Sequence, residues 1–210
     1  MKLSAANLQT ILKDEVLPFW LQHGLDHKHK GFFTSLDRDG SVVDRDKSIW
    51  MQGRAAYTFA YAYRNIEANP LWLEAAQSSS DFLLQHASDS RGRLHFLVSE
   101  SGAPLRSRRY AYSEAFAALG LGELAAITGD AELKRKSESF ARAFYQHDGD
   151  LGQYPEKWHH ASRPCISLAP AMIQLNLSQS LEQSGGCPLG VTVRDVAIEQ
   201  IKKCATEDAV

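Results

Sequence analysis

The stretch Phe32–Arg54, FFTSLDRDGSVVDRDKSIWMQGR, decides how the rest of the chain is read. It opens as a strand-like run, turns at Asp39-Gly40 and resumes at Ser41-Val42-Val43. Asp-Gly between two such runs predicts a hairpin, because glycine accepts the positive φ of the turn. Asp46 is then placed to cap a helix, its carboxylate accepting from a free first-turn amide. On that helix Trp50, Arg54, Tyr57 and Tyr61 follow at steps of 4, 3 and 4 and share one face. A guanidinium among three aromatic rings has two readings. One is a core stripe with Arg54 snorkelling from its end. The other is a sugar or anion site, with rings to stack on and a forked donor.

Upstream, Ser4 is placed to cap a first helix whose Leu8, Ile11, Leu12 and Val16 mark an apolar face. Pro18 is expected to kink or end it before Phe19-Trp20. A long connection, Gly24–Arg45, holds the hairpin, and the second helix covers about Lys47–Glu67. Asn69-Pro70 starts a third helix, running to about His86 with Leu71, Ala75 and Phe82 inward. The second long connection, Ala87–Tyr110, is strand-like at Leu94–Val98 and turns at Gly102. A fourth helix runs from about Tyr112 to Thr128. Gly129 suits its left-handed end and Asp130 caps the fifth, which turns Leu133, Ser137, Phe140 and Phe144 to one side. Gln146–Pro164 is the third long connection. A sixth helix covers about Cys165–Gln183 and stops at Gly185-Gly186. Thr192, with Asp195 three residues on, starts a last helix bearing Val193, Ala197, Ile201 and Cys204.

Long and short loops therefore alternate, which puts every long loop at one end of an up-and-down stack. Helices two, four and six all begin there. They are small and apolar nearly all round, as in AAYTFAYAY, AFAALGLGELAAI and SLAPAMIQLNL, whereas helix five exposes KRKSES. A helix apolar on all sides is buried on several. Two, four and six thus read as an inner layer and the others as an outer one, an all-α toroid in a single domain over 1–210.

At 210 residues, with 44% hydrophobic and 23% charged, the chain has the composition of a globular domain. A net charge of −2 argues against a nucleic-acid or anionic-membrane binder. No apolar run approaches the ~20 residues of a membrane span, and MKLSAANLQTILKDE lacks a signal-peptide apolar region. Cys165, Cys187 and Cys204 form no CxxC pair, which suits free thiols in a cytoplasmic protein.

FWLQHGLDHKHKGFFTSLDRDG (Phe19–Gly40) followed by DKSIWMQGR (Asp46–Arg54) resembles the N-terminal part of the N-acylglucosamine 2-epimerase family. The resemblance continues through RYAYSEAF (Arg109–Phe116) and, more loosely, SLAPAMIQLNL (Ser167–Leu177), and so reaches about Gly185. It implies an (α/α)6 barrel and interconversion of N-acylglucosamine and N-acylmannosamine, with isomerisation of mannose-type sugars as the alternative activity in the wider superfamily. Such a barrel of helices ~12–20 residues long needs on the order of 300–400 residues. With about seven helices, this chain is expected to form an incomplete barrel, the N-terminal portion of a longer epimerase, with short β-hairpins in its long loops.

Function is expected at the long-loop end, where free amides and positive helix ends favour oxygen-rich groups. By resemblance Arg54 matches an arginine that binds substrate and matters for activity, and is the candidate catalytic residue. Trp50, Gln52, Tyr57, Tyr112, Glu114 and Asn176 are the candidate substrate contacts. For Tyr112 and Glu114 the alternative is hydrogen bonding within the core, and for Asn176 a satisfied buried amide.

Epimerisation at C2 removes a proton beside a carbonyl and returns it on the other face, which suits two histidines. The resemblance puts that pair in a C-terminal half absent from these residues, so this chain is expected to be weak or inactive alone. A non-catalytic sugar-binding or interaction protein, pairing as a homodimer through its apolar inner helices, is the reading from a different class. Among the eight histidines, the HxH of His27 and His29, with His23 near, lacks an evident third metal ligand. His159-His160 could overhang the site from the third long loop. DGDLG (Asp148–Gly152) lacks the closing glutamate of a calcium loop. Neither a metal nor a cofactor is therefore expected; the partner expected is an amino sugar or hexose, and modulation by ATP stands on family analogy alone.

Overall fold

The computed structural model describes residues 4–107, 110–148, 162, 167–185 and 190–204. Ser4 Oγ accepts from the Asn7 amide at 3.2 Å and starts α1 (Ala5–Ile11). A π-helical turn, Leu12–Val16, leads without a break into α2 (Leu17–His23). Of the two outcomes expected of Pro18, a kink or an end, the helix does not end: the wider turn before it relieves the clash between its ring and the preceding carbonyls. The apolar face also differs. Leu8 and Val16 are exposed, while Leu17 joins Phe32, Phe59 and Trp72 in the core.

The expected hairpin forms. β1 (Ser35–Leu36) pairs antiparallel with β2 (Val42–Asp44), and Gly40 takes φ +88° in the turn. Asp46, however, caps nothing. The residues after it, Lys47–Ser48, form β3, and the first amide of α3 (Ile49–Asn65) donates to the Phe96 carbonyl at 3.1 Å. The Phe96 backbone thus replaces the expected side-chain cap. α4 (Pro70–His86) begins as read, Asn69 accepting from the Leu71 amide. Trp72 rather than Leu71 turns inward with Ala75 and Phe82. β4 (Leu97–Val98) and β5 (Pro104–Arg106) join β3 in an antiparallel sheet of order β3-β4-β5.

α5 (Tyr112–Thr128) has the expected bounds, with Gly129 left-handed at its end. Asp130 accepts from the Glu132 and Leu133 amides and starts α6 (Ala131–Asp148). α7 (Ala169–Gln183) and α8 (Gly190–Cys204) complete the described helices. Taking α1, the π turn and α2 as one rod, the described residues form seven helices. None is long and apolar enough to cross a membrane. Cys204 is a free, half-buried thiol, and Cys165 and Cys187 lie outside the described residues.

α5 packs between α3 and α7, and α4, α6 and α8 pair with α3, α5 and α7 in turn. The inner and outer layers are those read from loop length and amphipathicity. From Ser113 to Ala125 every residue of α5 is buried except Phe116. Two glycines let α3 and α5 approach closely. A Cβ on Gly53 would lie 2.4 Å from the Phe116 carbonyl carbon, and one on Gly120 would lie 2.8 Å from the Gly53 oxygen. That crossing brings the first two turns of α3 against Phe116.

Candidate functional site

The long connection after α2 is held to α3 by buried polar bonds. Gln52 is fully buried; its Oε1 accepts from the Phe32 amide at 2.8 Å and its Nε2 donates to the Phe32 carbonyl at 2.7 Å. Ser79 on α4 donates to the Gln52 carbonyl at 2.8 Å. Lys47, also fully buried, donates to Asp26 at 2.7 Å and to the Lys30 carbonyl at 2.6 Å, with its ammonium over the Phe82 ring. Burial would raise the Asp26 carboxyl, but Lys47 and the His29 and Lys28 amides hold it below its ordinary value. The Lys30 carbonyl belongs to a residue at φ +64°, a conformation costly for a side-chain-bearing residue. These bonds fix that carbonyl and set the start of α3.

On the opposite side of α3 lies a group of aromatic rings. Trp50 stacks on Phe116, with centroids 5.2 Å apart and planes at 17°. It meets Tyr112 edge-on at 5.7 Å, and Tyr112 stacks on Tyr110 at 5.2 Å. The Arg54 guanidinium carbon lies 5.4 Å from the Phe116 centroid. Arg54 is exposed, and among the described residues its side chain makes no hydrogen bond or ion pair. The sheet places a further wall: the Phe96 carbonyl receives the Ile49 amide, and the Phe96 amide donates to the Arg106 carbonyl at 3.0 Å. Phe96, Arg106, Ser107, Tyr110, Tyr112, Ser113 and Trp50 border a hollow of about 350 Å³. Stacked rings beside a free forked donor can hold a sugar, one face against a ring and its oxygens on the guanidinium.

The candidate residues divide. Trp50, Arg54 and Tyr112 come together, and Phe116, passed over in the sequence, sits at their centre. Its signal was present: Phe116 follows Tyr112 by four and shares its face. Gln52 is corrected from substrate contact to scaffold, because the Phe32 backbone takes up both ends of its amide. Glu114 is likewise buried, its Oε1 accepting from the Leu94 amide at 3.0 Å, and it ties the sheet connection to the first turn of α5. Tyr57 lies two turns along α3, tilted on Tyr61; burial pushes its phenol up. Asn176 is exposed on α7, which removes the buried-amide reading.

Asp26, His29 and Glu100 bring potential metal-ligand atoms within 4.8 Å of one another. Lys47 already donates to Asp26, and Arg45 to Glu100 at 2.7 Å, so two cations balance the two carboxylates. Such a set reads as an ion-pair network. His159, His160, Arg109 and the segment 149–152 lie outside the described residues.

Residues 31–176 match the N-acylglucosamine 2-epimerase (GlcNAc 2-epimerase) family. The N-acylglucosamine 2-epimerase of Bos taurus is 32% identical over 182 residues, covering 81% of this chain and 42% of that protein. This chain thus spans about two fifths of the length of such a relative. Among solved structures, cellobiose 2-epimerase from Spirochaeta thermophila superposes with a TM-score of 0.80 at 24% identity, over 94% of this chain and 53% of that one. A D-mannose isomerase superposes at 0.72 and 18% identity, covering 94% and 51%. The fold is that of an incomplete (α/α)6 barrel.

Proposed function

The chain belongs to the N-acylglucosamine 2-epimerase family, and from that premise we propose that it binds an N-acylated amino sugar against Trp50, Arg54, Tyr112 and Phe116. The reaction it serves is interconversion of the gluco and manno forms by proton transfer at C2. The observation that carries this reading is the exposed Arg54 guanidinium, lying on Phe116 beside Trp50 and free of other partners among the described residues. In the open-chain sugar, loss of the C2 proton puts negative charge on the C1 oxygen. A guanidinium held in place on a ring can stabilise that charge as it develops.

Proton removal needs a base on one face of C2 and a proton donor on the other. The described lining of the hollow holds neither a histidine nor a carboxylate. The proposal therefore gives this chain the binding and charge-stabilising part, with turnover weak or absent. Proton NMR of N-acetylmannosamine in D2O tests it. Saturation transfer to the sugar with an undiminished H2 signal is the expected result. Rapid loss of H2 would put the base within these residues, with His159 and His160 the first to substitute. Appearance of a ketose would move the reading to an aldose–ketose isomerase. Self-association with no saturation transfer would replace it with an interaction protein.

A further inference from the structure

One set of features recurs along the chain. Leu21-Gln22-His23, Leu84-Gln85-His86 and Tyr145-Gln146-His147 stand at, or one residue short of, the ends of α2, α4 and α6. After the first two the backbone takes the same path: Phe33 donates to the Gly24 carbonyl and His95 to the Ala87 carbonyl, each at 2.8 Å. A glycine of positive φ, Gly40 or Gly102, then turns over His23 or His86. The next inner helix holds the connection with a buried side chain, Gln52 on the Phe32 amide and Glu114 on the Leu94 amide. The third inner helix keeps this register. Ile49, Gln52, Ala56 and Phe59 are buried on α3, and Ala171, Gln174, Ser178 and Leu181 are buried at the same spacing on α7. Gln52, Glu114 and Gln174 are therefore equivalent positions. Two residues after them stand Arg54, Phe116 and Asn176; two residues before them stand Trp50, Tyr112 and Met172.

Equivalent positions in stacked repeats face the same way, so Met172 and Asn176 form a third side to the place where Arg54 and Phe116 stand. Met172 is 56% exposed, and Asn176 is exposed one turn further along the same face of α7. Ile173 packs against the core cluster that Tyr112 and Phe116 also border, which sets this turn of α7 beside them. Packed helices lie ~8–10 Å axis to axis, within reach of a substituent on a ring held at Phe116. The side chains indicate which substituent. An amide side chain donates and accepts, so it answers either the N–H or the C=O of an acylamide. It would suit a hydroxyl as well, but the methionine one turn away suits an apolar group. An N-acyl substituent has both parts, an amide and an alkyl end. Resting on the placement of the sugar proposed above, we propose that Met172 and Asn176 recognise the N-acyl group. The Asn176 amide meets the amide of the substituent, and Met172 meets its alkyl end. α7 then sets the specificity between an N-acylated amino sugar and the parent hexose.

Calorimetric titration of the full chain with N-acetylmannosamine and with mannose tests this. N-acetylmannosamine is expected to bind about tenfold more tightly than mannose. In Met172→Ala and in Asn176→Ala the ratio falls to within about threefold, while the affinity for mannose stays as it was. Both side chains are exposed, so the melting midpoints of the two variants are expected to match that of the unmodified chain. Gln183→Ala, on the same helix two turns beyond Asn176, leaves the ratio unchanged. Equal affinity for the two sugars in the unmodified chain overturns the inference while the sugar site stands. So does a ratio that survives both substitutions. An equal loss for mannose and N-acetylmannosamine also overturns it, because the two residues would then contact the sugar and not its acyl group. Failure of both sugars to bind the unmodified chain overturns this inference and the sugar site together.

Discussion

Gln52 and Arg54 stand two residues apart on α3 and face different surroundings. Gln52 is fully buried, its amide bonded at both ends to Phe32. Arg54 is exposed, its guanidinium resting on Phe116 with its donors unclaimed among the described residues. Both belong to the same WMQGR run, and both are polar residues on an inner helix at the long-loop end. The difference teaches how to divide such a motif. A buried polar side chain satisfied by backbone is scaffold, since breaking its bonds strands groups away from water. A donor left over beside stacked rings is available to a ligand.

Breaking the scaffold face gives the largest expected effect. Gln52→Leu leaves the Phe32 amide and carbonyl without partners, a loss of about 4 kcal/mol at ~1–3 kcal/mol per buried unsatisfied group. The thermal midpoint should drop by roughly 8–16 °C for a chain of this size; a fall of only ~2 °C would contradict the scaffold assignment. Gly53→Ala comes next, because its Cβ meets the Phe116 backbone and forces α3 from α5. Denaturant unfolding should show a loss of about 2–3 kcal/mol. Phe116→Leu, on the other face, is expected to cost about 1 kcal/mol through the lost stacking on Trp50, and to weaken sugar binding several-fold in the same titration.

Two buried carboxylates sharpen the comparison with opposite pH dependence. Burial would raise Asp26, but its hydrogen bonds outweigh that and lower it. The stability it contributes is present above its unfolded pKa and is lost as pH falls through its folded one. Burial raises Glu123, which Arg64 offsets only in part. Its contribution is complete below its unfolded pKa and is lost as pH rises through its folded one. Midpoints measured from acid to neutral pH should therefore fall less toward acid in Asp26→Asn than in the unmodified chain. In Glu123→Gln they should fall more. Parallel curves for all three proteins would remove the account of both groups.

The layer order, and α5 with its bounds, were legible because their signals are local: Gly129 and Asp130 punctuate the chain, and a helix apolar all round has to be buried. At the first helix the residues left open whether Pro18 kinks or ends it, because a π turn that accommodates proline leaves no pattern in residue spacing. Asp46 was read as a cap because the Phe96 carbonyl that takes that place lies some fifty residues on. The Lys47–Asp26 bond was invisible for the same reason, and Leu71 was chosen over Trp72 where one turn of helix cannot tell inward from outward. At the site, the face carrying Trp50 and Arg54 was readable from its spacing. Phe116 shares the face of Tyr112 by spacing, but its place against α3 was not readable, since that depends on a glycine-mediated crossing of two helices distant in sequence. Gln52 and Arg54 looked alike as polar residues in one motif. Only tertiary contact separates them.

The central claim is that the exposed face of α3, and not its buried one, binds the sugar. Saturation-transfer NMR with N-acetylmannosamine, run on the unmodified chain and on Arg54→Ala beside a thermal melt of each, tests it most directly. The account predicts that Arg54→Ala weakens binding by about tenfold or more, the scale of a charged hydrogen bond lost to a ligand, while its melting midpoint stays unchanged. Undiminished saturation transfer in Arg54→Ala would contradict the claim, as would a melting transition that collapses along with binding.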